Sequence, residues 1–122
     1  QAIVRVMSVT MAKTGDKDIR RFVHAQHSAY FSSFADRDSL LQAFKASVGS
    51  NVTEVAGELT LPVLLIAGEK DEIALLADQH KLAAKLPDGR LEVIPGVGHL
   101  IHYETPEPAA HYIRRFLKDH AA

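Results

Sequence analysis

The sequence predicts an α/β fold, two parallel strands with flanking helices, preceded by a helical segment. Three observations carry this. Val63 to Ala67 is an unbroken apolar run between Pro62 and Gly68, the pattern of a short strand covered on both faces. Leu91-Glu92-Val93-Ile94 forms a second short strand and ends in Pro95-Gly96-Val97-Gly98-His99. Helical periodicities fall between and after the two runs, and the order strand, helix, strand, helix implies parallel pairing through right-handed crossovers.

From the front, Ala2 to Lys13 carries two signals. Ile3, Val4, Met7 and Met11 would share a helical face, while Val4, Val6 and Val9 favour a strand. The adopted reading is a helix ending near Gly15. Asp16 can cap a second helix, with Ile19, Phe22, Val23, Gln26 and Tyr30 as its apolar stripe. Asp36 can cap a third, carrying Leu40, Leu41, Phe44 and Val48, with Gly49 as its stop. Asn51-Val52-Thr53-Glu54 reads as a capping box opening a short fourth helix that Gly57 closes. Residues 1–58 therefore form one helical unit and residues 59–122 the strand-bearing unit.

Past the first strand, Leu75 to Leu86 reads as a helix with Gln79, Leu82, Ala83 and Leu86 inward. Pro87-Asp88-Gly89 turns into the second strand. A last helix starts with Thr105 as cap and Pro106 in its first turn, with the stripe Ala109, Tyr112, Ile113, Phe116, Leu117. Two strands leave edges and faces uncovered, so more strands are expected beside them.

Asp71 follows its strand after Gly68, and His99 follows the other in a glycine-bracketed loop. Open α/β sheets place their chemistry at such carboxyl ends. A histidine base needs a carboxylate on one ring nitrogen and a nucleophile at the other. Asp71 can also cap a helix, and His99 can be a loop histidine without a role. His102 lies three residues beyond His99, but two histidines lacking a third ligand do not make a zinc site. Glu104, before the last helix, suits local hydrogen bonding or the helix dipole. His24, His27, His80, His111 and His120 read as solvated or helix-face residues. Tyr30, Phe31 and Phe34 cluster at a helix end and, with His102, are candidates to line a substrate pocket. Packing within the helical segment explains the three aromatic residues equally well.

Gly68-Glu69-Lys70-Asp71 and Gly98-His99-Leu100-Ile101-His102-Tyr103-Glu104-Thr105-Pro106-Glu107 together resemble the C-terminal half of an α/β-hydrolase. The resemblance covers residues 61–117 closely and the helical stretch before them more loosely, where that family carries its cap. In the family the triad runs nucleophile, acid, histidine along the chain. The resemblance thus implies that Asp71 is the triad acid, in preference to Glu69 or Glu72, and that His99 is the base. It implies a cap or lid over residues 1–58 and the C-terminal part of the hydrolase core over 59–122.

What departs from the family is the nucleophile. No Gly-x-Ser-x-Gly elbow occurs, nor an oxyanion loop of the His-Gly type. The expectation is that both lie upstream of Gln1, that the chain is a mature, cleaved or truncated product, and that alone it is inactive. Its expected partner is the N-terminal half of the same hydrolase or, failing that, further copies of itself. A carboxylic ester is the expected substrate class. Alternatives are an epoxide, haloalkane or carbon–carbon bond hydrolase of the same fold, and a binding-only member. No cofactor and no metal is implied. The 122 residues fit one small domain, and 47% hydrophobic content can supply a core. A net charge of −1 gives no sign of a nucleic-acid partner or an anionic membrane surface. No apolar run reaches bilayer length, there is no recognisable signal peptide, and a cytoplasmic location is expected. Without cysteine there is neither a disulfide framework nor thiolate chemistry.

Overall fold

The computed structural model describes residues 2–30 and 36–121. Two parallel strands, β1 (Val63–Gly68) and β2 (Gly89–Ile94), pair in register from Val63 opposite Gly89 to Gly68 opposite Ile94. Helix α4 (Leu76–Lys85) joins them. Leu82 on α4 and Leu86 just past its end pack with Ala56 against Val63 and Leu65. Residues four apart on a helix share a face, which is why periodicity located this element.

The strands are half-buried along most of their length, not buried on both faces as the apolar runs predict. Val63 to Ile66 and Arg90 to Val93 are partly exposed, whereas Ala67, Gly68 and Ile94 are buried. The flanking helices do not cover both faces and both edges of a two-stranded sheet, and burial becomes complete only at the carboxyl ends. Those ends carry the motifs.

Ahead of the sheet, the described residues are helical. Helix α1 (Ala2–Met11) settles the ambiguous first segment and stops four residues short of Gly15. Helix α2 (Lys17–Tyr30) is capped as expected, Asp16 Oδ1 accepting from the N–H groups of Asp18 at 2.7 Å and Ile19 at 3.1 Å. Its buried face differs from the predicted stripe. Val23 and His27 point inward, while Phe22 is 51% and Tyr30 73% exposed. Position 27 continues the i, i+4 step from Val23, and a polar ring is tolerated inside when it has a hydrogen-bond partner. Helix α3 (Arg37–Gly49) has Asp36 as its cap, accepting from Ser39 N–H at 2.7 Å. Leu40, Leu41 and Phe44 remain exposed.

The expected fourth helix is instead two 3-10 turns, Val52–Glu54 and Ala56–Glu58. Asn51 Oδ1 accepts from Thr53 N–H at 2.9 Å, but among the described residues Glu54 makes no return bond, so the box is half made. After β2 comes a single turn, α5 (Ile101–Glu104), and then α6 (Pro106–Asp119) lying against β1. Thr105 precedes α6, yet its hydroxyl donates to Ile101 O at 3.2 Å and so closes α5 rather than capping α6. Ile113 and Leu117 of the predicted stripe stay exposed. Among the described residues no helix is long and apolar enough to cross a membrane.

Besides Ala56, helices α1 and α2 of the helical segment meet the strand-bearing unit at the histidine loop. Ala12, Val23 and Leu100 form a buried cluster against Met11, Ile19 and Tyr103, with Phe22 edge-on to Tyr103 at 5.5 Å. Val23 is wholly buried, worth about 1.5–3 kcal/mol for a side chain of its size.

Candidate functional site

At the carboxyl end of β1 the ladder runs one residue further, Glu69 N–H donating to Ile94 O at 3.0 Å. Lys70 N–H then donates to Val97 O at 2.8 Å, tying the two strand-end loops together. A Cβ on Gly68 would stand 2.2 Å from Gly98 O and 2.5 Å from Val97 O. Only glycine permits that approach.

Asp71 is 8% exposed. Its Oδ1 accepts from the N–H groups of Ile73 at 2.8 Å and Ala74 at 2.9 Å, while Oδ2 meets His99 Nδ1 at 2.9 Å. Asp71 does not cap a helix, since α4 begins at Leu76 after Leu75 with no side-chain cap; one of its oxygens closes the turn after β1 and the other holds the ring. An ionised carboxylate only accepts, so the network assigns the proton to His99 Nδ1 and leaves the Nε2 lone pair free to take another. The main chain of His99 is anchored as well, its N–H donating to Met11 O at 2.8 Å.

Glu104 locks this loop from below. It is 8% exposed, and Oε1 accepts from Gly98 N–H at 3.1 Å while Oε2 accepts from Lys13 N–H at 3.0 Å. Sequence reasoning expected local hydrogen bonding here. It missed that the carboxylate reaches back to Lys13, joining α1's exit to the histidine loop. A Cβ on Gly98 would lie 2.5 Å from Met11 O, so the junction has no room to slide. The other carboxylates are engaged elsewhere. Glu69 Oε2 accepts from Gly96 N–H at 2.8 Å, and Glu72 pairs with Lys13 Nζ at 2.8 Å.

Tyr30 projects into solvent. His102 is exposed and lies against Tyr103, centroids 4.3 Å apart. Among the described residues no hydrogen bond or ring contact links either to Asp71 or His99, and Phe31 and Phe34 lie outside the described residues. Among those described, no three His, Cys, Asp or Glu side chains are grouped to hold a metal ion.

One polar cluster had no signal in the sequence. Ser8 and His27, each 6% exposed, join α1 to α2 through Ser8 Oγ and His27 Nδ1 at 2.8 Å, with His24 Nδ1 at 3.5 Å. His27 is thus buried, correcting its reading as a solvated or helix-face residue. Burial pushes its pKa below the ordinary 6.5, and neighbouring His24 adds to the shift. The Ser8 hydroxyl donates to Val4 O at 2.9 Å, so His27 is the donor to Ser8. The pair bolts two helices together and is not arranged as a nucleophile with its base.

Comparison with known proteins shows the family and the fold. A family model described as serine aminopeptidase, S33, matches residues 38–106. A Bacillus subtilis protein provisionally named 2-succinyl-6-hydroxy-2,4-cyclohexadiene-1-carboxylate synthase is 40% identical over 62 residues, 49% of this chain and 22% of that protein. Esterase YbfF of Escherichia coli is 36% identical over 58 residues, 48% of this chain and 23% of the esterase. Among solved structures, a thermophilic esterase from Thermogutta terrifontis superposes with a TM-score of 0.79 at 20% identity, over 97% of this chain and 43% of that one. The chain thus matches less than a quarter of the length of these curated relatives and spans less than half of that esterase structure.

Proposed function

Because the chain belongs to the serine aminopeptidase S33 family of α/β-hydrolases, we propose that it supplies the acid and the base of an ester-cleaving hydrolase. One observation carries the reading. The Asp71 carboxylate, pinned by two backbone N–H groups, meets His99 Nδ1 at 2.9 Å at the ends of adjacent strands. Asp71 holds the tautomer and stabilises the imidazolium without itself taking a proton. The likeness to esterases supports a carboxylic ester as substrate.

In this proposal residues 1–58 act as the cap and 59–122 as the C-terminal part of the core. The nucleophile comes from a segment outside these 122 residues, for two reasons. The sequence has no Gly-x-Ser-x-Gly elbow, and the Ser8 hydroxyl is committed to Val4 and His27. The same segment, an N-terminal half of the hydrolase, pairs with the sheet edges and completes the site, and without it the chain turns over no substrate. Self-association through those edges is the fallback arrangement.

The chemistry follows from the tautomer. His99 Nε2 takes the nucleophile's hydroxyl proton as its oxygen attacks the ester carbonyl. The tetrahedral adduct collapses, and the leaving alkoxide receives that proton from the imidazolium. Nε2 then takes a proton from water as its oxygen attacks the acyl-enzyme, and the second tetrahedral adduct collapses as the imidazolium returns that proton to the nucleophile's oxygen, releasing the acid and the free nucleophile. Steady-state kinetics on the assembled hydrolase test the assignment. His99→Ala should reduce kcat by three orders of magnitude or more (about 10³–10⁶ for a triad base), while His102→Ala should keep a substantial fraction. Equal losses from both substitutions would overturn it.

A further inference from the structure

Between α1 and α2 opens a recess of about 400 Å³, lined by Arg5, Ser8 and Val9 from one helix and Arg20, Arg21 and His24 from the other. We propose that this recess binds an oxyanion, the carboxylate or phosphate group of a small molecule.

The lining follows from helical spacing. Arg5, Ser8 and Val9 stand at i, i+3 and i+4, and Arg20 and His24 at i and i+4, so each set shares one face. The chain as a whole is nearly balanced, with 14 basic and 15 acidic residues, yet three guanidinium-bearing residues and no carboxylate line this hollow. Asp18 pairs with Arg21. Among the described residues Arg5 and Arg20 have no ion-pair partner. Lys17 lines an adjoining hollow of about 390 Å³ with the same Arg20 and Arg21, extending the positive strip.

Gathering like charges in one concavity raises the local concentration of anions. Guanidinium is weakly hydrated, and its planar fork matches the two oxygens of a carboxylate or phosphate. The floor is rigid, because the Ser8–His27 bond fixes the spacing of the two helices. Less ordering is then needed when the anion arrives.

The recess shares helix α1 with the main-chain anchor of the proposed base. Ser8 and Val9 precede Met11, whose carbonyl anchors His99 N–H, by two or three residues, about 3–5 Å along the axis, and Arg5 precedes it by about 9 Å. Two sources of the anion are therefore in reach: an acid group on the substrate itself, which rests on the hydrolase reading, or a free anion.

Calorimetric titration of the purified protein at low salt, with succinate and with inorganic phosphate, tests the site without reference to catalysis. Saturable one-site binding of at least one anion is expected. Arg5→Gln with Arg20→Gln should weaken it about tenfold or more, as loss of charge-assisted bonds would. Arg114→Gln with Arg115→Gln should leave it unchanged. All four arginines are exposed, and circular dichroism controls for folding. No saturable binding by the wild type, or equal affinity in the Arg5/Arg20 variant, would overturn the proposal. Hydrolysis of p-nitrophenyl hemisuccinate and p-nitrophenyl butyrate by the hydrolase assembled with its N-terminal half then identifies the source. A raised KM for the hemisuccinate alone in that variant assigns the recess to the substrate's acid group. Anion binding with both KM values unchanged assigns it to a free anion. Failure of hydrolysis leaves the calorimetric result standing and counts against the hydrolase reading alone.

Discussion

Replacing Glu104 tests whether the histidine loop depends on a carboxylate that never touches the ring. In Glu104→Ala the N–H groups of Gly98 and Lys13 lose their acceptor. A buried donor left unsatisfied costs about 1–3 kcal/mol. The Gly98 N–H is buried and carries the larger share, whereas Lys13 is half-buried and water can reach it. The expected loss is about 3 kcal/mol, a large part of the 5–15 kcal/mol that holds a domain together. Glu104→Gln with its carbonyl oxygen at the Oε1 position keeps an acceptor for Gly98 N–H and, at 3.1 Å, for Lys13 N–H, so at most about half of that loss is expected. Urea unfolding of the three proteins, with an unchanged slope m, gives the difference directly. In the assembled hydrolase a positioning role adds a kinetic signature: kcat falls in the Ala variant with KM nearly unchanged, and Gln restores part of it. An Ala variant destabilised by less than about 0.5 kcal/mol, the range of surface changes, would refute the reasoning.

Two further outcomes follow from packing and from titration. Gly68→Ala drives a Cβ into two backbone carbonyls, Gly98 O and Val97 O, which cannot rotate away; a loss at the upper end of the 1–3 kcal/mol overpacking range is expected, and an unchanged melting temperature would contradict it. His27 has its pKa held below 6.5 by burial and by His24, so between those values the unfolded chain binds more protons than the folded one. Stability is therefore full above pH about 6.5 and falls as pH drops toward the folded value; melting curves between pH 7 and 5 should show this, and His27→Gln should flatten the decline.

What the sequence reveals depends on how far each interaction reaches. The strands, the crossover helix and the caps Asp16 and Asp36 were legible because each is decided within a few residues. The pairing of Asp71 with His99 was legible for a different reason: both stand one loop beyond adjacent parallel strands, and topology brings such ends together. His27 was not legible, because its burial depends on a hydroxyl 19 positions away. Nor was the reach of Glu104 to Lys13, across 91 positions. The single-turn α5 and the two 3-10 turns are too short for periodicity to register. The exposed stripes of α3 and α6 mark the opposite limit: pattern shows which face of a helix is apolar, not what covers it.

The junction between α1 and the histidine loop bears on how the site is set. Met11 O holds the His99 main chain, Glu104 bridges Lys13 and Gly98, and Ala12 packs with Leu100 beside them. Every one of these contacts joins the exit of α1 to residues 98–104. The same α1 is bolted to α2 through Ser8 and His27, and carries one wall of the cationic recess. A displacement of the two helices relative to the sheet therefore cannot leave the imidazole where it was, because its main chain hangs from Met11. The Asp71 carboxylate is held within its own turn, at Ile73 and Ala74, and that turn reaches the exit of α1 through the side-chain pair of Glu72 with Lys13 Nζ. Movement at the junction would thus change the 2.9 Å acid–histidine contact. In the hydrolase reading this makes the helical segment part of the mechanism's alignment as well as a cover, since the geometry that fixes the base's tautomer is held partly by the segment that would close over substrate.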